Sequence, residues 1–509
     1  MLKFCSTAVI LLALSLTAQA QNNATKNDSG NGSFADFRKG ILEDYNKFRN
    51  SILEDYDRFL EAAWDDYQQM RGVDRYQTPK PHQAPVIPVT DVPVKKPEVK
   101  PLPEPEKVKP EVKPEVKPEL KPVQKTPVPE KKPQPSATPA DFPGNDAFVF
   151  PFYGMEMKIT DRKADLSRRL TSTNDFAAQW RSLVNDKAEA MIPSIKKTAT
   201  DHGLNDYLTF RLIRAYVNAR YPQAHHSARV ALEHYLLANM GYDVRLAVDD
   251  SGTPLLLIPF GQDVYGRPYL MVGQRKYYVF QPDNVQTRPD ARIMTCKLPS
   301  NSDLGTPMDL RINALNLPEK QKEFNISFED ITLTGKINEN IMTVVYEYPQ
   351  MDIADFAVSQ LSPGLRNDLV SQMKEQLAGL SEQEAVDKLL HFTQSAFEYA
   401  TDQDYHGFEK PYFLEEILFY PKCDCEDRSI FYTYMLWNVL GVENHLLAYP
   451  GHESASVHLD APVTGNSYEW NGKTFYISDP TYIGAKTGMC MPVYAKVRPE
   501  VDYEYKSGK

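Results

Sequence analysis

Tyr420-Pro-Lys-Cys-Asp-Cys-Glu-Asp-Arg-Ser429, followed over 430–441 by Ile-Phe-Tyr-Thr-Tyr-Met-Leu-Trp-Asn-Val-Leu-Gly, is the stretch on which the reading of this chain turns. Residues 430–440 carry apolar side chains almost all round, which predicts a buried helix, and Gly441 is a natural C-cap. Cys425 then stands just ahead of the first turn. A thiol in that place meets the positive end of the helix dipole and unpaired backbone N–H groups, so the position predicts a lowered pKa. The same N–H groups can stabilise an oxyanion.

A thiolate needs a base, and the base needs a group to orient it. Downstream, residues 445–452 read as a strand ending in a turn, and 454–460 (Ser-Ala-Ser-Val-His-Leu-Asp) alternate as a second strand that carries His458. Asn471-Gly472 fits a type I′ hairpin turn, and the returning strand ends in Asp479-Pro480. Neighbouring antiparallel strands are expected to set His458 beside Asp479, facing the helix that begins at Cys425. His445 and His452 compete for the role of base, but His445 begins the preceding strand and His452 falls in the turn.

A Cys-x-Asp step opening a helix, then a His on one strand, then Asp-Pro-Thr closing the next, resembles the transglutaminase-like superfamily over about residues 380–485. The resemblance implies an α+β, papain-like domain in which the nucleophile helix packs on an antiparallel sheet. It implies Cys425 as nucleophile, His458 as general base and acid, and Asp479 as the group fixing the His tautomer. Asp427 matches the family's acidic residue two positions after the Cys and takes a structural role at the helix start. Cys423 departs from the pattern, standing where a Gly is common. The implied activity is hydrolysis of a peptide or cell-wall-peptide amide through an acyl-enzyme. A crosslinking acyltransferase would use the same intermediate, and a non-catalytic cell-envelope scaffold is the contrasting reading. No cofactor or metal is expected: Cys423-Asp-Cys425 lacks the two-to-four-residue gap of a zinc pair.

Upstream, 175–241 read as mostly helical and 244–281 as strands. Shifted by 200 residues, 228–248 lie over 428–448, with Gly241 on Gly441. In that alignment Cys425 falls on His225, Asp479 on Gln281, and His458 near Ile258. Residues 148–285 are therefore either a degenerate transglutaminase-like copy or a chance match of two α+β segments, with His225 and His226 as ordinary exposed loop residues. A β-rich connecting segment is expected over 286–350, with strands near 291–297, 308–313, 324–334 and 341–347 and turn chemistry at Gly335, Asn338 and Asn340. The transglutaminase-like domain would span 351–509, with Ser381 and Glu384 as a capping box.

The N-terminal region is of a different kind. Residues 1–20 have a basic start, a short apolar run and Ala18-Gln19-Ala20, the marks of a secretory signal peptide. A periplasmic or extracellular location is expected. Over 34–71, Phe37, Phe48 and Phe59 repeat at eleven residues, as do Tyr45, Tyr56 and Tyr67. That period gives an amphipathic helix with a right-handed drift, suited either to self-association and partner docking or to packing on its own domain. Residues 79–143, rich in Pro, Lys, Glu and Val, can form only an extended linker.

A net charge of −11 argues against a nucleic-acid partner. Only four cysteines follow the leader, too few for a disulfide framework; Cys296 and Cys490 are either a disulfide or two buried thiols.

Overall fold

The computed structural model describes residues 146–506, apart from 273, 286–290 and 297–304. The expected signal peptide (1–20), the expected 34–71 helix and the expected 79–143 linker fall outside the described residues. Among those described, no helix is long and apolar enough to cross a membrane.

The chain enters through a hairpin, β1 (Asp146–Phe152) and β2 (Met155–Asp161). Alternate residues of β2 are buried, as a sheet with one wet face requires. Four helices follow: α1 (Thr173–Asn185), α2 (Ile192–Asp201), α3 (Asp206–Arg220) and α4 (His226–Met240). His225 and His226, expected in an exposed loop, are half-buried at the start of α4, where the His225 ring caps the Ser227 N–H. Helix α4 ends at Gly241, whose φ of 101° only glycine adopts without strain.

The first sheet comprises β3 (Arg245–Asp249), β4 (Pro254–Ile258), β5 (Tyr269–Val272), β6 (Arg275–Phe280) and β7 (Ile293–Cys296), in the order β5-β6-β4-β3-β7. Central β4, Pro-Leu-Leu-Leu-Ile, is buried at every residue. Leu256 and Ile258 join the main core, whereas Leu255 and Leu257 join a second cluster with Ala247, Tyr277 and Val279.

A separate hairpin, β8 (Gln321–Phe328) and β9 (Ile331–Asn338), follows. Its turn lies at Glu329-Asp330, and Gly335 sits inside β9 because a Cβ there would come within 2.8 Å of the Phe324 ring. Three expected strands are corrected. The single strand expected over 324–334 is split by the Glu329-Asp330 turn into parts of β8 and β9. Residues 308–313 form only an isolated bridge, Phe260 to Met308. Residues 341–347 fall largely in α5 (Glu339–Val345), because Asn338 caps it and Ile341, Met342, Val344 and Val345 bury one helical face.

Helices α6 (Ile353–Val358), α7 (Pro363–Gln376) and α8 (Glu382–Ala396) follow. Ser381 and Glu384 form the expected capping box. Short β10 (Glu398–Tyr399) and β11 (Lys422–Cys423) pair across a stretch holding α9 (Asp402–Tyr405). Then come α10 (Cys425–Met435) and a π-helical turn, Leu436–Leu440, ending on Gly441 with φ 71°.

The second sheet comprises β12 (Asn444–Tyr449), β13 (His452–Val457), β14 (Ser467–Trp470), β15 (Lys473–Ile477) and β16 (Glu500–Tyr505), in the order β14-β15-β13-β12-β16. This is the order of the first sheet, strand for strand. The π-turn holds one more residue than an α-helical turn. That accounts for α4 and α10 running 199 residues apart at their starts and 200 at their terminal glycines.

The architecture is α+β, with antiparallel sheets against helices. One buried apolar cluster runs from Phe150 to Leu459, across residues 285 and 350.

Candidate functional site

The sulfur of Cys425 is positioned by the start of α10. Asp424 is its N-cap, and its backbone N–H is held by the Asp427 side chain reaching back from the first turn. Asp427 Oδ2 accepts the Asp424 N–H at 3.1 Å and Oδ1 accepts the Tyr412 N–H at 2.8 Å. Asp427 thus ties the helix start to the preceding loop. Arg428, buried, donates to the carbonyls of Gln394 and Phe397 at 3.2 and 2.6 Å, fixing the first turn against the end of α8.

Pro450 and Gly451 make the turn between β12 and β13, with Gly451 at φ 79°, so Tyr449 pairs with His452. His452 is therefore the first residue of a strand. Strand β13 pairs with β15 at Ser456–Ile477 and Val457–Tyr476. Continuing that register sets Asp479 opposite Ser454, one pleat from His452 on the same face. His452 Nε2 accordingly meets Asp479 Oδ2 at 2.9 Å, and both residues are buried. Asp479 Oδ1 accepts the Thr481 N–H at 2.8 Å, and the Asp479 carbonyl accepts from Gln394 at 3.1 Å.

The expected pairing of His458 with Asp479 is corrected. Strand β13 ends at Val457, and the same register puts position 458 opposite Phe475. His458 Nδ1 contacts the Thr474 carbonyl at 2.9 Å, and its ring lies 5.6 Å from that of Phe475. Six strand residues, about 20 Å, separate it from position 452. His445 is also spoken for: its Nδ1 contacts Tyr468 Oη at 2.7 Å and its ring stacks on Phe475 at 3.9 Å.

The thiol belongs to the His452 end of the strand. The N–H of Glu453, which is the peptide joining His452 to Glu453, bonds toward the Cys425 sulfur. His452 Nδ1 is buried with no hydrogen-bond partner. The thiol instead donates to Glu426 Oε2 at 3.1 Å. Tyr494 covers the group: its ring stacks on His452 at 5.2 Å, and burial, followed by the Cys425 and Asp479 charges, raises its pKa.

The electrostatics overturn the expected lowering of the Cys425 pKa. Burial pushes the thiol well above its ordinary value, and the charges of Glu426 and Asp424 push it further, against the single Glu453 N–H. The residue is only 3 % exposed. In this conformation burial, and after it the neighbouring carboxylates, outweigh the dipole at the helix start and favour the protonated thiol. Burial, then the charge of Asp427, likewise raises Asp402 to about 10.

Carboxylate oxygens of Asp402, Asp424 and Asp427 lie within 4.8 Å of one another, as do those of Asp402, Glu409 and Glu426. Such oxygen sets could hold a hard cation. A third such group joins Asp424, Cys425 and Glu426. Cys423 is in none of these: its sulfur lies 3.8 Å from the Glu398 carbonyl, and burial raises its pKa to about 12. Cys490 is a free, half-buried thiol, and the side chain of Cys296 lies outside the described residues.

Comparison with family models, with curated proteins and with solved structures finds no match to this chain.

His452, set aside on sequence as a turn residue, is the first residue of β13, and Glu426, Gln394 and Tyr494 carried no sequence signal that singled them out. His452 was legible. Pro-Gly between two apolar runs fits the two central positions of a type II turn, which makes the next residue the start of a strand.

Proposed function

We propose that the chain is an exported cysteine hydrolase of the transglutaminase-like type, cutting peptide amides with Cys425, His452 and Asp479. The observation that carries this reading is the state of His452. One ring nitrogen is oriented by a buried carboxylate, the other is buried and unpartnered, and the N–H of the peptide joining it to Glu453 bonds toward the sulfur.

The chemistry runs as follows. Cys425 turns its thiol from Glu426 to His452 Nδ1, which takes the proton while Asp479 stabilises the imidazolium. The sulfur adds to the substrate carbonyl, and N–H groups at the start of α10 are placed to receive the oxyanion. The imidazolium returns its proton to the leaving amine, leaving a thioester that water resolves. A small amine in place of water would give transamidation.

The covered, protonated thiol favours a second reading, a binding module that keeps the constellation without turnover. Incubating the full chain with cell-wall peptides, and with a glutamine peptide plus labelled amine, separates the three outcomes. The hydrolase reading expects cleavage and a mass adduct on Cys425, both lost in Cys425→Ala. Amine incorporation marks an acyltransferase. Unchanged peptide with no adduct leaves the binding module.

A further inference from the structure

The two sheets share one strand order, so positions in the first can be matched to the site in the second. Leu257 pairs with Val279 in β4–β6, as Ser456 pairs with Ile477 in β13–β15. Two residues beyond each β6/β15 partner stand Gln281 and Asp479. The match extends to a hydrogen bond. The Asp479 carbonyl accepts from Gln394 on α8 at 3.1 Å, and the Gln281 carbonyl accepts from Arg214 on α3 at 2.9 Å.

The reacting groups are missing from the first sheet's version. Helix α4 begins with His226 where α10 begins with Cys425, so the counterpart of Cys425 is His226 and not the expected His225, the extra residue of the π-helical turn accounting for the slip. The carboxylate of Asp479 is replaced by a neutral amide, and the neutral Gln394 by a guanidinium. Both exchanges shift local charge in the positive direction.

A pocket of about 530 Å³ opens at this place, lined by Arg211, Arg214, Arg267, Phe280, Gln281 and Asp283 among others. The three guanidinium groups are not equivalent. Arg214 is buried and bonded to Glu233 at 3.1 and 3.0 Å, so its charge is largely neutralised. Arg267 lies over the Phe280 ring at 4.2 Å and donates to the Val279 carbonyl at 3.3 Å. Arg211 lies 5.8 Å from the Tyr153 ring, is hydrogen-bonded to Tyr207 and feels the charge of Asp283, which is not in direct ion-pair contact with it. Against them stands the exposed Asp283, 3.7 Å from Arg214.

We infer that this pocket is a binding site for a small oxyanion, a carboxylate or a phosphate group, held by Arg211 and Arg267. Guanidinium groups stay charged at any working pH and match planar or tetrahedral oxyanions with paired N–H donors. The aromatic face under Arg267 orients its fork, and the neutral Gln281 supplies an amide where a carboxylate would repel the ligand. The volume lies within the range of small-molecule sites.

The test is independent of the hydrolase reading, because it uses full-length Cys425→Ala protein. Calorimetric titration is run with N-acetyl-alanine, with inorganic phosphate and with N-acetyl-alaninamide as the uncharged control. One of the two anions is expected to bind, the amide is not, and Arg211→Gln and Arg267→Gln are each expected to weaken binding about tenfold. Preference for N-acetyl-alanine identifies a carboxylate ligand, and preference for phosphate a phosphoryl one. Absence of binding by both anions up to about 10 mM would overturn the assignment. So would equal affinity for the amide, or binding that survives both substitutions in folded protein.

Discussion

His452 Nε2 lies 2.9 Å from Asp479 Oδ2 because a two-residue Pro-Gly turn makes His452 the first residue of β13. The β13–β15 register then sets Asp479 one pleat away. His458, on the same strand parity but past the strand's other end, cannot share that carboxylate. Removing His452 should abolish amide cleavage, with a loss on the order of 10⁶ as for the base of other triads. His458→Ala should leave turnover within about twofold and cost about 1 kcal/mol or less, as expected at a half-buried position with one backbone contact. Steady-state kinetics on both variants decides between the two histidines.

Glu426 holds the thiol proton and raises its pKa by charge as well as by hydrogen bonding. In Glu426→Gln the repulsion is gone, so the thiolate forms at lower pH. Cys425 alkylation, followed by mass spectrometry from pH 6 to 10, should have its midpoint shifted down in this variant.

Tyr494 lies across the site, its hydroxyl donating to the Pro450 carbonyl at 3.3 Å. Tyr494→Ala should expose the sulfur and speed its reaction with bulky maleimides more than with iodoacetamide. The variant should also lose about 3 kcal/mol of stability, as large-to-small changes at buried aromatic positions do. Parallel labelling and urea unfolding check both effects.

Asp402 carries a folded-state pKa of about 10 against an ordinary 3.8, raised first by burial and then by Asp427. A raised carboxyl pKa means that its contribution to stability is full below about pH 4 and is lost as pH climbs toward 10. The chain should therefore be less stable at pH 9 than at pH 5. Asp402→Asn should flatten that slope while still accepting the Lys410 N–H.

Arg366 and Glu415 form a buried bidentate pair at 2.7 and 2.9 Å, and Glu415 also accepts the N–H groups of Leu361 and Ser362. Glu415→Ala strands a buried guanidinium and two N–H groups, and should cost about 3–5 kcal/mol. Thermal unfolding of this variant should show a large fall in melting temperature.

Local signals carried much of this architecture. The strands 244–248, 254–260 and 276–280, the Gly441 cap and the Ser381–Glu384 box all follow from periodicity and capping chemistry in short windows. Asn471 and Gly472, at φ 50° and 78°, make the expected hairpin turn. Residues 341–345 were misread because a short helix with four buried apolar side chains has the composition of a strand. The His452 partnership needed strand register, which depends on where a strand begins and not on which residues it contains. The raised pKa of Cys425 needed the folded chain to bury the sulfur and to bring Glu426 and Asp424 beside it, which helix-dipole reasoning does not see. The arginine pocket joins residues of α3 to the β6 end, a contact between segments some 70 residues apart.

The most direct test is the rate of Cys425 alkylation by iodoacetamide in the wild-type chain, His452→Gln and His458→Gln, measured across pH 6–10. With His452 as the base that takes the thiol proton, His452→Gln should slow the reaction about tenfold or more below pH 8, with His458→Gln superimposing on wild type. Equal rates in wild type and His452→Gln, or slowing confined to His458→Gln, would contradict it.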